Sequence, residues 1–293
     1  TSEAQFQTEF ECEFLGSVDT LINASKIKTM PVATPIRSGG LDVYEMPISN
    51  HIYTMCVDVS RGLSNDYSAF VVLDVTQAPY KIVAKYRNNE IKPLVFPSVI
   101  EKVAKNYNNA FILVEINDLG QQVADNLQFE LEYDNMMMVT QRGRSGQVLG
   151  GGFSGRGNQL GLRMTKGTKR IGTSNLKSLI EGDKLIINDF DIISELSTFI
   201  SKGKSFEAES GSTDDLVMCL VIFSWLANQR YFKELTDVDV RGQMFADQKN
   251  ALEADMAPFG FIDNGIDDPS GRNNSFFDDA GVLWQPVSYR KGE

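Results

Sequence analysis

The chain has 293 residues, a net charge of −11 and an apolar fraction of 42%. This length accommodates one large or two modest domains, and the apolar content is sufficient for a buried core. No run approaches the roughly 18 apolar residues of a membrane span. The three cysteines form no CxxC pair, which favours a reducing cytosol.

Histidine occurs once, at His51. A single histidine excludes a His-rich zinc site and an HNH-type nuclease, and it gives little support to a nucleophile–His–acid triad. Any catalysis would therefore rely mainly on carboxylates, a metal ion or lysine. Sites built from carboxylates alone select hard cations such as Mg²⁺ or Mn²⁺ over zinc.

The predicted elements begin after an arm. Residues 1–48 are turn-rich and resemble a linker more than a self-sufficient domain. Residues 52–59, 68–75 and 81–86 are predicted to form three successive strands, and their short connections predict an antiparallel meander. Apolar periodicity and strand-like runs then predict, in order, a helix over 93–107, a buried central strand over 111–114, a helix over 120–130, a strand over 136–139, a helix over 168–181, a strand over 185–187, a helix over 192–200 and an apolar helix over 216–227.

This order of elements predicts a mixed α/β sheet with helices on both faces. We expect a compact domain over residues 49–230. Residues 231–293 are acidic and rich in Gly, Asn and Asp, and we expect them to form a loosely packed tail.

A basic block interrupts this acidic protein. Between Asn135 and Ile180 there is no Asp or Glu, and eight basic residues are present: Arg142, Arg144, Arg156, Arg163, Lys166, Lys169, Arg170 and Lys177. The block is also rich in glycine, which predicts a hairpin or loop. It indicates one surface that faces a polyanion. The alternative is a solvated loop with chance charge.

Carboxylates stand where three buried elements end. Asp58 closes the first strand of the meander, Glu115 closes the central strand, and Asp214 and Asp215 precede the apolar helix. Each has an ordinary explanation as a turn former, a strand-end charge or a helix cap. If the fold brings the three ends together, however, four carboxylates converge. Such a cluster requires cations and predicts a divalent-metal site.

The residues around these acids resemble the nuclease half of the large terminase subunit of T-even-type tailed bacteriophages, the motor that packages viral DNA. The matching segments are Val57–Gly62 with Asp66–Ala69, Val114–Asn117 with Gly120, and Asp214–Met218 with Leu220 and Val221. The resemblance spans about residues 6–229, and residues 9–17 look like the end of that family's ATPase domain.

The resemblance implies an RNase H-like fold and an endonuclease that cuts concatemeric double-stranded DNA with little sequence specificity. Its metal ligands correspond to Asp58, Glu115 and the pair Asp214 and Asp215, with Asp66 as a secondary position. Two Mg²⁺ ions are expected, with Mn²⁺ as a substitute. The expected DNA contacts are Arg142, Arg144, Arg156, Arg163, Lys166, Lys169 and Arg170.

The resemblance also implies partners: double-stranded DNA, the ATPase domain of the same polypeptide, the capsid portal and the small terminase subunit, in the cytoplasm of the infected bacterial host. The sequence has no ATP site of its own, because Gly203-Lys204-Ser205 lacks the P-loop glycine at position 198. Two alternatives predict different behaviour. A non-catalytic module that grips DNA or docks on the portal would bind without cutting, and a junction resolvase of similar fold would prefer branched DNA.

Overall fold

The computed structural model describes residues 19–61, 66–141, 147–150, 158–203, 205–236, 276–277 and 283–284. The chain divides into two compact units, residues 1–243 and 244–293. The described strands of the first unit are β1 Leu41–Val43, β2 Tyr53–Asp58, β3 Ser68–Asp74, β4 Tyr80–Asn88, β5 Phe111–Val114, β6 Met138–Gln141, β7 Gln147–Gly150, β8 Asn158–Leu160, β9 Leu185–Ile186, β10 Phe199–Lys202 and β11 Ser205–Ala208. The second unit contains a hairpin of β12 Phe276–Phe277 and β13 Leu283–Trp284.

The described helices all belong to the first unit. They are α1 Ala24–Lys28, α2 Phe96–Asn106, α3 Gly120–Asp125 with a π-helical turn over Asn126–Glu130, α4 Lys166–Glu181, α5 Phe190–Thr198, α6 Asp215–Ala227 and α7 Arg230–Thr236. None of these helices is both long and apolar enough to cross a membrane.

A mixed sheet in the order β1-β4-β3-β2-β5 forms the centre of the first unit, with β9 beside β4. Strands β2, β3 and β4 form the predicted antiparallel meander. Strand β5 runs parallel to β2, so that Thr54 lies opposite Phe111 and Val57 opposite Val114. A parallel neighbour requires a long crossover, which α2 provides. The prediction of a mixed sheet is therefore confirmed.

Both faces of this sheet are buried because side chains alternate between them along each strand. On one face, residues such as Cys56, Val71 and Leu113 pack in one apolar core with α4, α5 and α6. On the other face, residues such as Val57 and Val72 pack in a second core with α2 and α3. Helices on both faces were predicted, and this arrangement explains why β2, β3 and β5 are apolar along their length.

Helix α6 is apolar on all sides, and every residue from Leu216 to Ala227 is buried. It packs closely against α4 at Gly172, where an added methyl carbon would lie 2.5 Å from the carbonyl oxygen of Val221. Any side chain at this position would therefore push the two helices apart. Helix α4 forms the last part of the basic block, and the Thr165 hydroxyl caps its beginning by accepting from the Thr168 N–H at 3.1 Å.

The basic block contributes a second, three-stranded antiparallel sheet in the order β7-β6-β8. The pairing of β6 with β7 agrees with the predicted hairpin. Three of the predicted DNA contacts lie outside the described residues: Arg142, Arg144 and Arg156. The structure describes the other four, which are Arg163, Lys166, Lys169 and Arg170.

Part of the predicted arm joins the central sheet. Strand β1 pairs antiparallel with β4, and a buried ammonium group secures it. The Nζ atom of Lys85 lies 3.2 Å from Asp42, 2.7 Å from Asp189 and 2.6 Å from Asp191. The Lys85 side chain is only 4% exposed. The predicted boundaries at 48/49 and 230/231 stay predictions.

Replacing Lys85 by Met should destabilise the fold, because it leaves three carboxylates together with no cation between them. We expect the free energy of unfolding, measured by urea titration, to fall by about 3–5 kcal/mol. Lys81→Met is the matched control on the same strand, because its ion pair with Glu45 at 3.6 Å is half-exposed and should contribute below about 1 kcal/mol. Equal effects of the two substitutions would contradict this account.

Candidate active site

The parallel pairing of β2 with β5 brings two of the predicted acids to one edge of the sheet. Asp58 is the last residue of β2, and Glu115 directly follows β5. The Glu115 N–H donates to the carbonyl of Val57 at 2.9 Å, which fixes the two strand ends to each other. Burial and then the negative charges of Glu115, Asp215 and Asp214 raise the pKa of Asp58 well above its ordinary value. Asp58 therefore interacts with each of the other three predicted acids.

The backbone around Glu115 is held by two glycines. A methyl carbon at Gly120 would lie 1.7 Å from the Glu115 carbonyl oxygen, and one at Gly161 would lie 2.4 Å from that of Val114. Gly161 also has a φ of +82°, which favours glycine. Asn117 fixes the next segment, because its amide group donates to the Met164 carbonyl and accepts from the Met164 N–H.

The beginning of α6 completes the cluster, and its two acids are not used as helix caps. Asp214 occupies the capping position, but its side chain makes no capping hydrogen bond. Asp215 accepts from the Tyr67 N–H through Oδ1 at 3.3 Å, while its buried Oδ2 has no hydrogen-bond partner among the described residues. The simple explanation of Asp214 as a helix cap therefore does not hold for its side chain.

Burial raises the pKa values of Glu115 and Asp215 as well as that of Asp58. The pKa of Glu115 rises to about 7; burial is the main cause, Lys169 opposes it and Asp214 adds to it. The pKa of Asp215 rises to about 6 through burial, against the opposing charge of Arg87 and with a further increase from Asp214 and Asp66. Asp66, predicted as a secondary position, thus lies within electrostatic reach of Asp215.

Lys169 occupies a place that the sequence did not indicate. It was predicted as a DNA contact, yet its Nζ lies 3.9 Å from Asp214 Oδ2 and its charge acts on Glu115. One turn of α4 thus delivers a cation directly to the acidic cluster. Lys166 and Arg170, on the same first turns, are exposed, and so is Arg163 just before the helix.

Two further charged residues near α6 were missed by sequence reasoning. Glu195 in α5 is 5% exposed and accepts from the N–H groups of Leu216 and Val217. Arg87 in β4 donates to Thr213 at 2.7 Å. A signal existed for Glu195: helical spacing places it on the same face as Ile192 and Phe199, where burial is expected.

A second acidic group lies elsewhere in the described part of the chain. Carboxylate oxygens of Asp42, Asp189 and Asp191 lie within 4.8 Å of one another, a spacing that could hold a metal ion. The ammonium of Lys85 contacts all three, however, and the Tyr44 hydroxyl donates to Asp189. We interpret this group as an ion cluster that stabilises β1, because a cation already lies among its oxygens.

Asp58, Glu115, Asp214 and Asp215 offer the ligand chemistry of a hard divalent cation, although, unlike Asp42, Asp189 and Asp191, no three of them have carboxylate oxygens within 4.8 Å of one another in the described structure. Their donors are carboxylate oxygens, which suit Mg²⁺ and Mn²⁺. One of them, Asp215 Oδ2, is buried and has no partner in the part of the chain that the structure describes, and a buried oxygen in this condition is costly unless an ion or water binds it. The raised pKa values indicate the same need, since a cation would relieve the repulsion between these groups.

Comparisons with known proteins cover the part of the chain in which these residues lie. The sequence model of the family described as "Terminase RNaseH-like domain" matches residues 55–224. Crystal structures of the large terminase nuclease from thermophilic phage G20c are similar in fold. The cobalt-bound form has a TM-score of 0.54 at 20% identity, and the magnesium-bound form 0.54 at 19%, each covering 71% of this chain and 97% of the other. The zinc-bound form has a TM-score of 0.50 at 21% identity, covering 70% and 98%. These similarities confirm the predicted RNase H-like fold.

The raised pKa values predict how stability depends on pH when metal is removed by chelation. Glu115 and Asp215 titrate near 7 and 6 in the fold against ordinary values of 4.5 and 3.8. The folded state therefore binds more protons than the unfolded state in this window, and stability falls as the pH rises through it. Urea unfolding in EDTA should show greater stability at about pH 5 than at about pH 8.

The decline should be smaller in Asp58→Asn, because the substitution removes one charge from the repelling group. Added Mg²⁺ or Mn²⁺ should flatten the dependence, since bound cations replace the missing protons. A metal-free stability that rises between these two pH values would contradict the electrostatic account of the cluster.

Proposed function

The chain belongs to the terminase RNaseH-like domain family, and on that premise we propose that it is a divalent-metal-dependent endonuclease of a viral DNA-packaging motor. Its substrate would be concatemeric double-stranded DNA, cut to start and to end the packaging of a genome. The observation that carries this proposal is the convergence of Asp58, Glu115, Asp214 and Asp215, where burial and the charges of neighbouring acids raise the pKa values of Asp58, Glu115 and Asp215.

These four carboxylates would hold the metal, with Mg²⁺ as the physiological ion, two ions per site and Mn²⁺ as a substitute. When bound, such ions supply Lewis-acid stabilisation of the phosphate charge and lower the pKa of a coordinated water. Asp58 is the candidate shared ligand, because β2 is hydrogen-bonded on both sides, by β3 and β5. The T-even character of the resemblance stays a prediction.

The residues beside the carboxylates would orient the DNA. Lys169 lies next to Asp214 and Glu115, and its ammonium would hold a phosphate oxygen close to the reacting bond. Lys166 and Arg170, which are exposed on the first turns of the same helix, would contact neighbouring phosphates. Phosphate contacts carry no base information, so cutting should depend weakly on sequence.

The wider setting follows from the family. We propose that this domain acts with an ATPase domain of the same polypeptide, the small terminase subunit and the capsid portal, in the cytoplasm of the infected host. Because a nuclease that cut without control would destroy its own substrate, docking of these partners is the expected means of restraint.

The decisive test is incubation of the purified chain with supercoiled plasmid in the presence of Mg²⁺, Mn²⁺ or EDTA. Asp58→Asn should reduce nicking and linearisation to the level seen with EDTA, because the amide removes a metal-binding charge while keeping the size of the side chain. Asp134→Asn, an exposed position outside the cluster, is the matched control and should cut as the unaltered chain does.

Other outcomes would favour other functions. DNA binding without cutting under any metal condition would favour a gripping or docking module. Preferential cutting of branched DNA would favour a junction resolvase. Cutting by Asp58→Asn at the unaltered rate would overturn the assignment of this residue.

A second experiment tests the DNA-facing side of α4. Lys166→Ala should weaken DNA binding about equally for unrelated sequences and reduce the slope of log affinity against log salt by about 1, as expected for one lost phosphate contact. Lys177→Ala, at the opposite end of the same helix, is the control, because Lys177 is paired with Glu181 at 3.7 Å. Equal effects at both positions would argue against a localised DNA surface.

A further inference from the structure

The first turn of α6 is capped by a side chain from a different helix. The carboxylate of Glu195 accepts from the N–H of Leu216 at 2.9 Å and from that of Val217 at 3.0 Å, both through Oε2. Glu195 is 5% exposed, although a carboxylate in a core is costly without partners. The local candidate, Asp214, stands at the capping position without capping. The cap of α6 is therefore provided by Glu195 of α5 and not by Asp214.

A second set of contacts runs from Glu195 to the other side of Asp215. The Thr213 hydroxyl donates to Glu195 Oε1 at 3.2 Å and accepts from Arg87 at 2.7 Å. The Arg87 guanidinium lies 3.6 Å from Glu195 Oε1 and 3.9 Å from the centre of the Tyr67 ring. The Tyr67 N–H in turn donates to Asp215 Oδ1 at 3.3 Å. The position of Asp215 is therefore fixed by the capped first turn of α6 and by the backbone of Tyr67.

We propose that Glu195 is a positioning residue, which keeps Asp214 and Asp215 available to a divalent cation by capping α6 in their place and by holding Arg87 away from them. This inference rests on the proposed function of the site. Without an external cap, the carboxylates of Asp214 and Asp215 are the nearest acceptors for the N–H groups of the first turn. Either of them, once used as a cap, would offer fewer oxygens to a metal.

Above about pH 7 the charge of Glu195 matters as well as its hydrogen bonds, because burial raises its pKa to about 7. Arg87 is close enough to act on Asp215, and Glu195, Thr213 and the Tyr67 ring are its other described partners. With a neutral side chain at position 195, the Arg87 guanidinium would lose its attraction to Glu195 and would be drawn more strongly to Asp215. Arg87 would then compete with the cation for the same carboxylate.

Glu195→Gln separates these two roles, because one amide oxygen can still accept from both Leu216 and Val217. We expect this variant to fold and to protect those two amides from hydrogen exchange in EDTA as the unaltered chain does. Its affinity for Mn²⁺, measured by calorimetry, should nevertheless fall about tenfold to about 100-fold. Glu195→Ala should lose both the amide protection and the Mn²⁺ affinity. Glu209→Gln, an exposed position, should change neither.

If the variants at position 195 fail to fold, Thr213→Val provides the test, because it removes the link to Arg87 and leaves the two capping bonds intact. Its Mn²⁺ affinity should also fall. Unchanged Mn²⁺ affinity in the folded Glu195→Gln or Thr213→Val protein would overturn the inference.

Asp58→Asn distinguishes this failure from failure of the proposed metal site. Loss of Mn²⁺ binding in Asp58→Asn with normal binding in the position-195 variants would leave the site standing and reject only the positioning role. Normal binding in all of these variants would reject the site itself.

Discussion

The parallel pairing of β2 with β5 is the constraint on which the site depends. Two strands that run the same way end at the same edge of a sheet, so Asp58 and Glu115 come together there. An antiparallel partner would have carried Glu115 to the opposite edge. The arrival of α6 at that edge adds Asp214 and Asp215, and burial together with the repulsion between these acids raises the pKa values of Asp58, Glu115 and Asp215. The fold therefore holds these acids together at a cost in electrostatic free energy.

Much of the fold could be predicted from the sequence because its elements are bounded clearly. Apolar runs such as residues 111–114 end in a charged residue, and the period-2 and period-3.6 patterns do not overlap. The sheet, its meander and the helices on both faces followed from these patterns. The end of the central strand at Glu115 was visible for the same reason. The convergence of the acids required the topology, which the family resemblance supplied.

The remaining features could not be predicted because they depend on contacts between distant parts of the chain. Arg87 reaches Thr213 across 126 positions, and Glu195 reaches Leu216 from another helix. Local rules also gave a different expectation: aspartate before a helix is normally its cap, and Lys169 belongs by sequence to a basic block. In the fold, tertiary contacts override both rules, since Asp214 is replaced as a cap and Lys169 lies beside the acids.

The contact at Gly172 has a consequence for how such a protein can diverge. The separation between α4 and α6 is set by backbone meeting backbone, and the exposed side chains on the first turns of α4 take no part in it. Those side chains can be exchanged during evolution, and such exchanges would change the affinity that we propose for DNA, to suit a new genome or a new ionic environment. The spacing between the side chains proposed to face DNA and the acids would not change with such exchanges. Affinity and chemistry can thus be selected separately, although one helix carries residues that serve both.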